Sequence, residues 1–344
     1  MKYTTLPTTD IKVSKICLGT MTFGEQNTEK EAHEQLNYAL SKGINFIDTA
    51  EMYSVPGRKE TQGSTERFIG SWLKNQKRDD LVVATKVAGP NPGLSYIRDN
   101  MGFSEAAIRD AVDKSLQRLQ TDYIDLYQLH WPERSANIFG IRNFKSNPNE
   151  AWQDNFINVL TTLNTLVKEG KMRQFGLSNE TAWGTMKYLE MAKNENLMRP
   201  ITIQNAYSLL NRTYEISVAE VSVREDIGLL AYSPLAFGVL SGKYLNGKPA
   251  NSRLTLFPPM RRYESEESHR ATKLYADLAK KHNLNLTQMS LAFINQREFV
   301  TSTIIGATTM TQLKENMDSI EVVLNDDILQ EIDALQNLQP NPAP

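Results

Sequence analysis

Four side chains, Asp48, Tyr53, Lys86 and His130, form a set able to protonate an oxygen on which negative charge is building. A phenol has a reference pKa of about 10, too high for easy proton donation near neutrality. A nearby ammonium lowers such a value. Lys86 can supply that charge, Asp48 can hold and balance it, and His130 can donate a hydrogen bond to a carbonyl oxygen beside the phenol. No activated serine or cysteine accompanies the set, so nucleophilic catalysis does not suit it. Lysine is a poor metal ligand and a lone His/Asp pair is incomplete, so no metal is expected. Singly, each residue has an ordinary reading: Asp48 as a helix cap, Tyr53 as a packing residue, Lys86 as a solvated charge, His130 as a core histidine. It is their common placement that points to chemistry.

Each of the four follows a short apolar run. Asp48 ends Ile44–Asp48, with Tyr53 just beyond; Lys86 follows Leu81–Thr85, and His130 follows Tyr123–Leu129. Further runs of this kind are Lys15–Leu18, Met172–Leu177, Ile201–Gln204, Gly228–Tyr232 and Thr303–Ile305. Helical periodicity follows each strand. Thr28 with Glu31 reads as a capping box, and Gly43 stops the helix it opens. Other helices are predicted near 64–75, 104–120, 154–169, 181–194, 214–225, 268–282, 286–296, 311–319 and 326–336. Eight strands with helical crossovers of one hand can close on themselves. The reading is an α/β fold, a (β/α)8 TIM barrel in one domain over 1–344. A hairpin of Lys2–Leu6 and Ile11–Val13 precedes it and an extra helix follows it. In such a barrel the carboxyl ends of the strands carry the chemistry. The four residues then lie at the ends of the second, third and fourth strands. Loops 131–153 and 233–267 are long enough to serve as lids, and the stretch from Gln339 to Pro344 reads as extended and poorly packed.

The 344 residues are 40% hydrophobic and 23% charged, with a formal charge of −2. Nothing in that balance suggests a basic nucleic-acid surface or a membrane-binding helix. Cys17 is the one cysteine, so no intramolecular disulfide can form. No targeting segment is evident, and a cytoplasmic location is expected.

Seven motifs in order resemble the aldo-keto reductase superfamily across nearly the whole chain. They are Gly19-Thr20, Phe46 to Ala50 through Tyr53, Ala84-Thr85-Lys86, Asp125 to His130, Gly176 to Asn179, Gln204 to Tyr207 and Ala231 to Leu235; Gly306-Ala307-Thr308 and Gln312 to Asn316 complete the series. Stretches such as GTMTFGEQN and LQTDYIDLYQLHWPER look like its bacterial Tas-like branch. The resemblance implies that Asp48, Tyr53, Lys86 and His130 are a catalytic tetrad with Tyr53 as proton donor. It implies NADPH-dependent reduction of aldehydes or ketones to alcohols, the dinucleotide lying extended across the barrel mouth. No strand–GxGxxG–helix unit exists to suggest a Rossmann domain.

The expected nucleotide contacts begin at Thr20 in the first loop. Ser178, Asn179 and Gln204 suit a carboxamide, and Tyr232 offers a flat face to the nicotinamide. Ser233, Pro234 and Leu235 would approach the pyrophosphate, with Lys243 and Arg253 as counter-charges. Gly306, Thr308, Gln312, Glu315 and Asn316 lie about the start of the last barrel helix, where backbone N–H groups favour phosphate. Many family members carry arginine at the place of Gln312, where it clamps the 2′-phosphate. Glutamine cannot, so NADH is a weaker alternative and the loop cations must favour NADPH. Met21 and Trp131 should line the substrate pocket, with loops 132–150 and 254–263 around it. The competing reading is a regulatory NADPH-binding subunit resembling potassium-channel β proteins, which share Gln312 and Ser241-Gly242-Lys243. Those proteins place asparagine at the position of His130, and histidine favours catalysis.

Overall fold

The computed structural model describes all 344 residues. A hairpin of β1 (Tyr3–Thr5) and β2 (Lys12–Ser14) leads into β3 (Ile16–Gly19), β4 (Phe46–Asp48), β5 (Val82–Val87), β6 (Ile124–Leu129), β7 (Met172–Ser178), β8 (Thr202–Ala206), β9 (Gly228–Tyr232) and β10 (Val300–Ile305). The last eight run parallel and close into a barrel in sequence order, β10 pairing with both β9 and β3. Around it lie α1 (Glu29–Ser41), α2 (Ser64–Leu73), α3 (Glu105–Leu119), α4 (Phe156–Lys168), α5 (Ala182–Asn194) and α6 (Val218–Arg224). They are followed by α7 (Arg253–Leu256), α8 (Glu266–Lys281), α9 (Leu286–Asn295), α10 (Met310–Asp318) and α11 (Asp326–Leu338). None of these helices is long and apolar enough to cross a membrane.

Local chemistry explains the boundaries. Thr28 Oγ1 accepts from Glu31 N, while the Glu31 carboxylate accepts from Thr28 N at 2.8 Å, so α1 starts with two donors satisfied. The strands are apolar on both faces because one faces the barrel interior and the other the helices. Inside, Cys17, Phe46, Val82, Ala84, Leu126, Ile201, Leu230 and Ile304 form one apolar cluster, with Leu6, Ile11 and Val13 of the hairpin packed against it. Burying a side chain the size of Leu6 contributes about 1.5–3 kcal/mol. The register then levels the strand ends: Gly19 pairs with Asp48, Asp48 with Ala84, Lys86 with Gln128, and Ser178 with Gln204. At Gly19 a Cβ would meet Ile304 Cγ2 at 2.6 Å, so only glycine lets these staves approach there.

Three expectations need correction. The helix predicted over 214–225 is broken: a 3-10 turn at Thr213–Ile216 gives way at Ser217 to the shorter α6. The loop after β9 holds a 3-10 segment, Ala236–Ser241, and α7. The C-terminal stretch is packed. Ala343 is buried, its N–H donates to Leu210 O at 3.0 Å, and Pro342 O accepts from Arg142 at 2.8 Å.

Candidate active site

Asp48 closes β4, and the chain turns at once, Tyr53 N donating to Ala50 O at 3.0 Å. Thr20 Oγ1 donates to Asp48 O at 2.8 Å, tying the loop after β3 to this corner. The turn is fixed from behind by Glu51, whose carboxylate accepts from Ala88 N at 2.7 Å and from Arg98 Nη1 at 2.5 and 2.6 Å. Val55 N donates to Met21 O, and Gly63 N to Tyr53 O, so both sides of the turn are held.

Lys86 is 0% exposed; its Nζ donates to Asp48 Oδ2 and to Thr49 O, each at 2.7 Å, and lies 5.0 Å from the Tyr53 ring centroid. It is no solvated charge. Burial opposes its ammonium, yet Asp48 and Tyr53 together hold its pKa above the ordinary lysine value. His130 follows β6, its ring 5.8 Å from that of Tyr53 at 76° and 4.8 Å from Trp131. Burial, assisted by Lys86, pushes its imidazole well below the usual value, so the ring is neutral. Its buried Nδ1 has no partner, so backbone does not satisfy this histidine. A proton on the other nitrogen leaves no orphaned buried donor and equips the ring to donate into the cavity. Tyr53 departs from expectation. Burial raises its phenol, and Asp48 adds to this, outweighing the lowering by Lys86, so its net pKa lies above the ordinary value.

One cavity of about 1570 Å³ opens over these residues. Thr20, Met21, Asp48, Tyr53, His130, Trp131, Ser178, Asn179, Gln204, Tyr232, Ser233, Pro234, Leu235, Lys243, Arg253, Gly306, Thr308, Gln312, Glu315 and Asn316 all line it, while Lys86 lies beneath. Loop 132–150 contributes Ile138 and Phe139, and loop 254–263 contributes Met260 and Arg262. Sequence reasoning missed Arg262, which donates to Tyr232 Oη at 3.3 Å, and Gln128, which donates to Asp48 Oδ1 at 3.2 Å. The signal for Gln128 was the inward alternation Leu126, Gln128, His130.

Around the far end of the cavity the donor set suits a polyanion. Ser233, Ala236 and Phe237 have positive φ, curling the backbone after β9 into a concavity of the kind that gathers N–H groups on an anion. Burial pushes the Lys243 ammonium down and Arg253 adds to it. The Arg253 guanidinium is likewise lowered by burial and has tyrosines for neighbours, with its group 5.1 Å from the Phe237 ring. Two half-buried cations without a carboxylate are costly until an anion joins them. At the start of α10, Gln312 Oε1 accepts from Thr308 N at 3.0 Å, and Asn316 Nδ2 donates to Gly306 O at 3.1 Å. Glu315 is engaged with Asn285.

A closed parallel barrel with an acid, ammonium, phenol and imidazole gathered at its carboxyl mouth defines a barrel of the enzyme type. The comparisons narrow this. The profile of the Aldo/keto reductase family matches residues 15–337. The chain is 49% identical over 352 residues to Protein tas of Escherichia coli (strain K12), covering 100% of both. It is 34% identical to the Uncharacterized oxidoreductase YrpG of Bacillus subtilis (strain 168), over 99% of this chain and 97% of that one. An Aldo-keto reductase of Babesia bovis is 39% identical over 69% of this chain and 88% of its own. The chain belongs to the aldo/keto reductase family, and with it to the oxidoreductases.

Proposed function

We propose that the protein is an NADPH-dependent reductase of aldehydes and ketones. The observation that carries this is the stacking of parts at the mouth: Tyr53, His130 and Asp48 line the cavity while Lys86, ion-paired to Asp48, lies buried beneath. A reduced nicotinamide supplies the hydride. Tyr53 gives its phenolic proton to the carbonyl oxygen, so the oxygen gains a proton as its carbon gains the hydride, and an alcohol results. His130 donates a hydrogen bond to the same oxygen and holds the carbonyl in place. Because burial keeps Tyr53 protonated at rest, the role of Lys86 falls mainly on the phenolate that forms, which its fixed charge stabilises.

Ser178, Asn179 and Gln204 would hold the carboxamide, and Tyr232 would support the ring, its Oη anchored on Asn179 Oδ1 at 2.6 Å. The loop of Ser233, Pro234 and Leu235, with Lys243 and Arg253, would take the phosphates. Thr20, Gly306, Thr308, Gln312, Glu315 and Asn316 would surround the rest of the nucleotide. Met21 and Trp131 wall the space left for substrate. Beyond the pyrophosphate that both nucleotides carry, the 2′-phosphate brings further negative charge to Lys243 and Arg253 and offsets more of the cost of burying them, so these cations favour NADPH over NADH.

The test is Tyr53→Phe with a panel of aldehydes and ketones. Wild type should oxidise NADPH faster than NADH. The variant should lose about 10²-fold or more in turnover while NADPH still quenches tryptophan fluorescence. Undiminished turnover would remove Tyr53 as the acid, and equal use of both nucleotides would remove the phosphate reading.

A further inference from the structure

The proposed reaction leaves one polar side chain at the centre of the barrel without a part. Gln128 is fully buried on β6, opposite Lys86 of β5 and Gly176 of β7. Its Nε2 donates to Asp48 Oδ1 at 3.2 Å, and its Oε1 accepts from Gln204 Nε2 at 3.1 Å. Gln204 Nε2 also donates to that same Asp48 oxygen, at 2.8 Å. A primary amide nitrogen carries two protons and accepts nothing. Both protons of Gln204 are therefore engaged, one by Asp48 and one by Gln128. A carboxylate only accepts, so Asp48, anchored through its other oxygen to Lys86 at 2.7 Å, obliges both glutamines to turn their nitrogens toward it. Oε1 is then the one side-chain hydrogen-bonding atom that Gln204 can offer to the cavity it lines.

We infer that Gln128 is a positioning residue. It locks the Gln204 amide so that an acceptor, and not a donor, faces the nucleotide, and the site thereby selects the N–H of a nicotinamide carboxamide. This rests on the reading that a nicotinamide nucleotide binds here. Without Gln128, the second proton of Gln204 has no acceptor, and the amide, held by its one remaining hydrogen bond to Asp48, can swing about that bond. The carboxamide would then lose the acceptor oriented for it, while the rest of the nucleotide site stays intact.

The experiment compares dissociation constants, read by tryptophan quenching, for NADPH and its 3-acetylpyridine analogue. That analogue carries a methyl ketone in place of the amide and so has no N–H to donate. Wild type should favour NADPH by about fivefold to tenfold, the scale of one net hydrogen bond. Gln128→Met keeps the bulk but removes the acceptor, and the preference should fall towards onefold. Gln128→Glu, whose buried carboxyl beside Asp48 keeps its proton, can still donate to Asp48 and accept from Gln204, so it should retain the wild-type preference. A Met variant that discriminates as wild type does would overturn the positioning role. So would a folded Glu variant that loses discrimination as the Met variant does. If wild type binds neither nucleotide, the nicotinamide reading itself falls and takes this inference with it.

Discussion

At Tyr53 two effects oppose each other, and burial wins over the ammonium of Lys86. The proposed carbonyl reduction needs the protonated phenol. A value raised above about 10 keeps that form through neutrality, and it is lost only as pH rises through the raised value. His130, lowered well below its usual value, stays neutral over the same window. The kcat for reduction should thus be flat from about pH 6 to about pH 9 and decline only at pH values above about 10. A pH–rate profile with an inflection near 6.5 would show His130 titrating at its ordinary value and overturn the neutral ring. The gathering of Asp48, Tyr53, Lys86 and His130 at the carboxyl end of the barrel was legible because each ends or closely follows an apolar run. The protonation of Tyr53 was not, since the depth of a phenol is a property of packing and not of spacing. Gln128 escaped notice for a related reason: a glutamine inside an apolar strand has no meaning until its two neighbours across the barrel are known.

Among the elements, the turn between β4 and α2 carries the most consequence, because it aims Tyr53. It depends on a pair that no local pattern reveals, Glu51 and Arg98, the first 1% and the second 7% exposed. Arg98→Met would leave the Glu51 carboxylate buried with Ala88 N as its remaining donor. The cost is about 3–5 kcal/mol, measurable by denaturant unfolding. Turnover should fall more than NADPH affinity, since the proposed nucleotide contacts lie on other strands. Adding Glu51→Gln to that variant should restore part of the stability, because the uncompensated charge is then gone. Strands and most helices were readable from apolar periodicity and caps such as Thr28. The segment 214–225 was not, because its apolar spacing continues through Ser217 although the backbone there leaves helical geometry at φ −147°. The tail misled for another reason. A run rich in proline looks unable to pack, yet Pro342 and Ala343 are held by partners far away in sequence, Arg142 and Leu210.

At the scale of the molecule, barrel closure was the most legible feature, since alternation repeated eight times admits few other solutions. Less obvious was the work of the hairpin. Leu6, Ile11 and Val13 pack against the barrel interior at its amino end, so the doorway to the cavity is the mouth at the carboxyl ends of the strands. Traffic through one doorway must queue: the guest that lies deepest against the strand ends enters first and departs last. Initial-rate kinetics should therefore show oxidised nucleotide competing with reduced nucleotide and not with the carbonyl compound. Competition against both would mean that the carbonyl compound does not wait its turn above a nucleotide already seated.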